Sequence, residues 1–281
     1  MIYRTEAGGR ELMRRYEQTL AGWPVPAERR RVPTSEGETF VLVCGPEDAP
    51  PLVLLHGAGT NAAMWLGDVT EWAQHFRVYA VDVVGEPGLS APSRPPLDSP
   101  AYTLWLDDVT RELGLDRVAI VGASLGGWLA LDYATRRPER VRKLALLCPG
   151  GVGRQRIGFL FTALLYKPFG RWGLRRSIRA IAGVDARVHP EVVDYLTLAF
   201  THFLPRRERL PVFTDDALRR LTMPVLVIVG GRDAMMDSHE TARRVGDTVP
   251  GASVVLLPEV AHSVIGQTRP MTEFLLADAG A

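Results

Sequence analysis

Apolar residues along this chain fall into two alternating patterns. Short runs rich in Val, Leu, Ile and Ala recur at 52–56, 77–82, 117–122, 143–148, 225–230 and 253–257. Runs this short and this apolar read as strands covered on both faces. Between them, at 62–75, 101–114, 125–137 and 238–248, apolar positions recur at helical spacing, and a last such pattern lies at about 269–278. Strands alternating with helices imply βαβ units, hence a mostly parallel central sheet flanked by helices. Ahead of these, Leu12, Met13, Tyr16 and Leu20 mark a helix over 9–22, stopped by Gly22 and Pro24. Segments 30–33 and 39–44 then form a hairpin turning at Ser35-Glu36-Gly37.

One interval breaks the alternation. The residues between Cys148 and Pro224 show no clear strand, and carry helical patterns at 156–167, 171–182 and 189–202 instead. They are rich in large apolar side chains, among them Phe159, Phe161, Leu164, Leu165, Tyr166, Phe169, Trp172, Tyr195, Phe200 and Phe203. Most read as the segment's own core and its packing onto the main domain. The same stretch holds Arg154, Arg156, Arg171, Arg175, Arg176 and Arg179. A solvated face is their plain reading; recognition of an acidic substrate or an anionic partner is the sharper one.

Length and charge narrow the function classes. A chain of 281 residues suits one large α/β domain with an inserted subdomain. A formal charge of +1 gives no global field pointing to nucleic acid or a membrane surface. No apolar run approaches the length of a bilayer span, and the first residues lack the apolar stretch of a secretory signal. Cys44 and Cys148 do not make a disulfide framework, so a reduced, cytoplasmic protein is expected. No cluster of His, Cys, Asp and Glu has metal-ligand spacing. The expected partner is a small-molecule substrate, with no metal, no cofactor, no nucleic acid and no membrane.

The chemistry centres on Gly122-Ala123-Ser124-Leu125-Gly126, which joins the apolar run Val118-Ala119-Ile120-Val121 to a helical pattern. A serine at a sharp strand-to-helix corner has a strained backbone, and small residues two positions either side let the chain pass. The corner lifts the hydroxyl above the sheet and aims a helix N-terminus at developing negative charge. Three further loops follow apolar runs: His56-Gly57-Ala58-Gly59 after 52–55, Gly230-Gly231-Arg232-Asp233 after 224–229, and Glu259-Val260-Ala261-His262-Ser263 after 253–258.

Together these motifs, in this order, resemble the α/β-hydrolase superfamily over roughly residues 30–280, less the middle insertion. The resemblance implies an α/β-hydrolase fold, with a core at 1–150 and 213–281 and a helical cap at 151–212. It implies Ser124 as nucleophile, His262 as general base and Asp233 as the acid that orients the imidazole. Asp237, one helical turn later, is the rival acid, although Asp237-Ser238 also reads as a helix start. The backbone N–H groups of Ala58 and Leu125 are the expected oxyanion hole. His56 reads as structural, and Trp65 and Trp128 as walls of an apolar substrate pocket. Asp82 through Ser90 resembles a structural turn of the family but departs from it by carrying Glu86-Pro87, and Ala123 departs from the polar or aromatic residue of many esterase relatives. The implied reaction is hydrolysis of a small-to-medium apolar carboxylic ester through an acyl-enzyme. C–C bond hydrolysis, lactone, thioester or perhydrolase chemistry on the same triad stay open, as does a non-catalytic receptor of the same fold.

Overall fold

A computed structural model describes residues 1–185 and 187–277. The chain opens with α1 (Glu6–Ala21), followed by β1 (Ala27–Thr34), β2 (Gly37–Cys44) and β3 (Pro51–Leu55). Then come α2 (Val69–Trp72), β4 (Arg77–Val81), α3 (Ala101–Glu112), β5 (Val118–Ala123), α4 (Leu125–Arg136) and β6 (Val141–Leu147). Four helices follow without a strand: α5 (Gly158–Tyr166), α6 (Gly170–Ala182), α7 (Pro190–His202) and α8 (Asp215–Leu218). The chain closes with β7 (Val225–Gly230), α9 (Ser238–Thr248), β8 (Ser253–Leu257) and α10 (Thr268–Leu276).

The eight strands form one sheet in the order β1-β2-β4-β3-β5-β6-β7-β8. The β1/β2 and β2/β4 pairs are antiparallel and every other pair is parallel. The central strands β5 and β7 are buried along their whole length, as their unbroken apolar runs require. Burying each such Val, Leu or Ile contributes about 1.5–3 kcal/mol, which makes this sheet the main store of stability. Parallel strands leave their C-terminal ends along one edge, where open α/β sheets hold their sites. The loops after β3, β5, β7 and β8 all emerge there.

Two elements depart from the sequence expectation. The helix expected over 62–75 is a 3-10 turn at Ala62–Trp65 and the single-turn α2, separated by Leu66, Gly67 and Asp68. Tertiary contacts prevail over periodicity here: Asp82 Oδ1 accepts the Ala62 N–H at 2.8 Å, and Trp65 meets Trp72 at a tilt of 50° with ring centroids 5.8 Å apart. The final helix ends at Leu276, and the last residue expected in it, 278, lies outside the described residues.

Besides the Gln155–Met236 bridge near its start and the Ser263 N–H to Ala182 O bond at the end of α6, the helical insert is tied down on its α7 side. On that side α1 packs against α7 in a small second core of Ile2, Leu12, Ala199 and Phe203. A bridge pairs Tyr3 with Phe203, and Asn61 Nδ2 donates to the Tyr195 hydroxyl at 2.8 Å. On the other side α5 packs chiefly against α6, and none of its residues is buried. Phe161, Leu164, Leu165, Phe169 and Trp172, expected in the insert's core, are more than half exposed.

Candidate active site

Ser124 sits between β5 and α4 with φ 51° and ψ −108°, a conformation that costs a non-glycine residue on the order of 1–3 kcal/mol. Its neighbours show why the corner needs glycine. A Cβ on Gly126 would lie 2.0 Å from the Leu55 carbonyl oxygen, and one on Gly122 would lie 2.5 Å from that of Gly126. The backbone is anchored on both sides: Ser124 N–H donates to Leu147 O at 2.9 Å, and Ser124 O accepts from Trp128 and Gly150. The Ser124 side chain makes no helix cap, so the hydroxyl is free for another partner.

That partner is His262. Its Nε2 lies 2.9 Å from Ser124 Oγ, and its Nδ1 lies 2.7 Å from Asp233 Oδ2. An ionised carboxylate only accepts, so the geometry assigns the ring proton to Nδ1 and leaves Nε2 to accept from the hydroxyl. Asp233 is itself held by its other oxygen, which accepts the N–H groups of Met235 at 2.7 Å and Met236 at 3.0 Å. Burial pushes its carboxyl up, but the His262 hydrogen bond and charge, with the two N–H donors, outweigh burial and hold it below the usual carboxylate range. Asp237 is elsewhere: its side chain caps α9 by accepting Glu240 N–H at 3.1 Å and pairs with Arg156 at 3.5 Å. Of the two candidate acids, only Asp233 reaches the imidazole.

The loop after β3 adjoins the elbow, since a Cβ on Gly57 would lie 3.6 Å from Ser124 Cβ. Among the described residues, no acceptor pairs with the N–H of Ala58 or of Leu125, and Ala58 is exposed. Two unsatisfied N–H groups on loops that meet at Ser124 are what a developing oxyanion requires. The loop is braced from below. Buried His56 donates from Nδ1 to Gly57 O and accepts the Val83 N–H at Nε2, both at 2.9 Å, and burial lowers its pKa to about 4. Thr60 Oγ1 also donates to Gly57 O, at 2.6 Å. His56 is therefore a neutral bracket, as the sequence reading has it.

Beside the site, the roles of Glu86 and Cys148 escape sequence reading, whereas Asp82 lies in the turn read as structural. Glu86 Oε2 accepts the Gly59 N–H at 2.6 Å from a buried position. Only its departure from the family's turn pattern marked it. Asp82 accepts from Tyr16, Ala62 and Leu89 at 2.7–2.8 Å and so fixes the neighbouring turn, and burial raises its pKa to about 6. Cys148, at the end of β6 with φ 42°, has its thiol pKa pushed to about 12 by burial and the Asp233 charge. It stays protonated and can donate to that carboxylate.

Trp65 and Trp128, expected in a substrate pocket, are corrected to packing residues. Each is 1% exposed and belongs to the main core. Trp65 is spent on Trp72. Trp128 stacks on Phe213 and donates Nε1–H to Pro211 O at 2.9 Å, sealing the chain's return from the insert.

The serine elbow, the imidazole relay and the paired loops decide the kinship, and a family model described as "Alpha/beta hydrolase family" matches residues 52–275. The chain belongs to the alpha/beta hydrolase family. Over 271 residues it is 30% identical to carboxylesterase YbfK of Bacillus subtilis, covering 93% of this chain and 90% of that one. The crystal structure of that esterase superposes with a TM-score of 0.85 at 28% identity, over 96% of this chain and 99% of the other. The naproxen esterase of Bacillus subtilis superposes with a TM-score of 0.82 at 27% identity, over 97% of each chain. The 2-hydroxy-6-oxo-2,4-heptadienoate hydrolase of Pseudomonas putida is 36% identical over 248 residues, 81% of this chain and 90% of that one. Among the described residues of this alpha/beta hydrolase, no helix is long and apolar enough to cross a membrane.

Proposed function

We propose that this hydrolase cleaves small-to-medium apolar carboxylic esters with Ser124 as nucleophile. One observation carries the reading: an unbroken hydrogen-bond line from Ser124 Oγ through His262 to Asp233, at 2.9 and 2.7 Å. Likeness over the whole chain to two carboxylesterases supports the choice of ester. In this reading Ser124 Oγ attacks the acyl carbon while His262 Nε2 takes its proton. The carbonyl oxygen gains charge facing the N–H groups of Ala58 and Leu125. His262 returns the proton to the departing alcohol, leaving an acyl-Ser124 ester. Water then attacks by the same route in reverse. Asp233 stabilises the imidazolium at each step without taking its proton.

Residues 151–212 act as the cap in this proposal, over a core of 1–150 and 213–281. Unpaired, buried Cys44 and Cys148 support a cytoplasmic location. The C–C bond hydrolase reading stays as the second one because of the Pseudomonas putida relative. A fluorophosphonate probe tests the proposal: wild-type protein labels at Ser124 and hydrolyses neutral nitrophenyl esters, and Ser124→Ala does neither. A wild-type protein that binds no probe and turns over no ester rejects it.

A further inference from the structure

Helix α5 has two apolar stripes and packs chiefly against α6. Phe159, Thr162, Ala163 and Tyr166 are half-buried, and Tyr166 meets Trp172 of α6 edge to face. On the opposite stripe, Leu160, Phe161, Leu164 and Leu165 are 55–71% exposed. Phe169 and Trp172, at 58% each, extend this surface toward α6. An apolar surface this continuous, left in water on a soluble domain, marks an interaction site.

Charge identifies the occupant. From Gly151 to Val184 the sequence has seven cations and no carboxylate, in a chain whose net charge is only +1. Arg154, Arg156, Arg175 and Arg179 are answered by Glu240, Asp237, Asp194 and Asp185 from outside that stretch. Lys167, Arg171 and Arg176 have no carboxylate partner among the described residues, and Arg176 lies over the Trp172 ring at 5.7 Å. These three flank the exposed stripe in sequence. A second copy docked by two-fold symmetry would set the same cations against each other with no acid to answer them. An anionic lipid surface answers both features: its acyl region takes the Leu, Phe and Trp side chains, and its headgroups take Lys and Arg.

We propose that the α5–α6 face of the insert docks on the surface of an anionic phospholipid bilayer. This goes beyond the ester reading and departs from the expectation of no membrane partner. Helix α6 leads from that face to the catalytic edge, where Ala182 O accepts the Ser263 N–H at 2.9 Å beside His262. Docking would therefore bring the site's mouth to the lipid.

The test is co-sedimentation of the full chain with vesicles of phosphatidylcholine alone or mixed with phosphatidylglycerol. Wild type should bind the mixed vesicles about tenfold or more tightly than the neutral ones. Phe161→Ser with Leu165→Ser should lose binding to the mixed vesicles by about tenfold or more. Arg171→Glu with Arg176→Glu should erase the preference for phosphatidylglycerol, and it serves as an independent check should the serine variant fail to fold. Turnover of a soluble ester should not change in either variant. Wild type that ignores mixed vesicles, or variants that bind them as wild type does, overturns the proposal. So does a dimer that Phe161→Ser with Leu165→Ser dissociates in the absence of vesicle binding.

Discussion

Glu86 Oε2 holds the Gly59 N–H at 2.6 Å, one peptide beyond the Ala58 N–H assigned to the oxyanion hole. Glu86 thus fixes the far end of a loop whose near end is fixed by His56 and Thr60 at Gly57 O. Removing the acceptor leaves a buried N–H unpaired, at a cost of about 1–3 kcal/mol, which the loop can lower by turning the peptide away. Glu86→Ala should therefore lower kcat by about tenfold or more with little change in KM, since the oxyanion contact strengthens only in the transition state. Glu86→Gln keeps an oxygen at the same reach and should stay within about threefold of wild type. Steady-state kinetics of both variants on one ester decide this. Equal losses in both would place the role in the charge instead.

The same carboxyl makes stability depend on pH. Burial raises its pKa from 4.5 to about 7, against the pull of the Gly59 N–H and the charges of Arg94 and Arg206. Between those values the native state keeps a proton that the unfolded chain releases. Stability therefore falls as pH rises through that window, by up to about 3 kcal/mol. Asp82 acts in the same direction at lower pH but is present in both proteins being compared. Urea unfolding of wild type and Glu86→Gln below and above this window should show the variant gaining relative stability at the higher pH. A difference that does not vary with pH would contradict the buried, proton-linked state.

At the elbow, activity and stability should move in opposite directions. Ser124→Ala should abolish ester hydrolysis, by about 10⁴-fold or more if serine and histidine act as a unit. Ser124→Gly should abolish it equally and also raise stability by about 1 kcal/mol, because glycine adopts the φ of 51° without strain. Thermal melts of the two variants should rank Gly above Ala. A Ser124→Ala protein retaining a tenth of wild-type turnover would remove Ser124 from the mechanism.

The two aspartates after β7 should separate cleanly. Asp233→Asn can no longer hold the Nδ1 proton against a carboxylate and should cost about 10³–10⁴-fold in kcat. Asp237→Asn keeps a good helix cap and loses only a partly exposed ion pair with Arg156, so turnover should stay within about threefold. The reverse ranking in a kcat comparison would move the acid to Asp237.

Legibility in the sequence followed the range of the forces involved. The strands β3 to β8 were legible because each is a short apolar run, and the residues Ser124, Asp233 and His262 because each follows such a run in a recognisable loop. Long-range contacts were not legible. Glu86 reaches Gly59 across 27 positions, and nothing local to either residue announces it. The positive φ at Cys148 and its place beside the Asp233 carboxylate likewise show only in the fold. Trp65 and Trp128 look like pocket residues on composition alone, and only packing shows both spent on neighbours. The exposed stripe of α5 was hidden for a related reason: an apolar helix reads as core until its neighbours are known.

Substrate choice can be argued from where the cations are. Cleavage of an acidic diketone needs a positive group in the pocket to hold the substrate's carboxylate, besides the relay itself. Beside Ser124 the chain places buried Ala123 and Leu125. Arg156 reaches the acid loop, with Nη1 donating to the Asp233 backbone carbonyl at 3.3 Å, but its charge is answered by Asp237. Arg154, Arg175 and Arg179 are likewise paired with carboxylates. To use Arg156, a diketone carboxylate would have to displace Asp237, whereas a neutral ester asks nothing of that pair. Neutral short-to-medium acyl nitrophenyl esters should therefore be turned over with higher kcat/KM than dicarboxylate-type diketones. Arg156→Gln should leave ester turnover within about threefold, because a partly exposed ion pair contributes little. A diketone preferred by about tenfold or more, and lost in Arg156→Gln, would instead make Arg156 a substrate ligand and this chain a C–C bond hydrolase, the difference amounting to about 1.4 kcal/mol in transition-state binding.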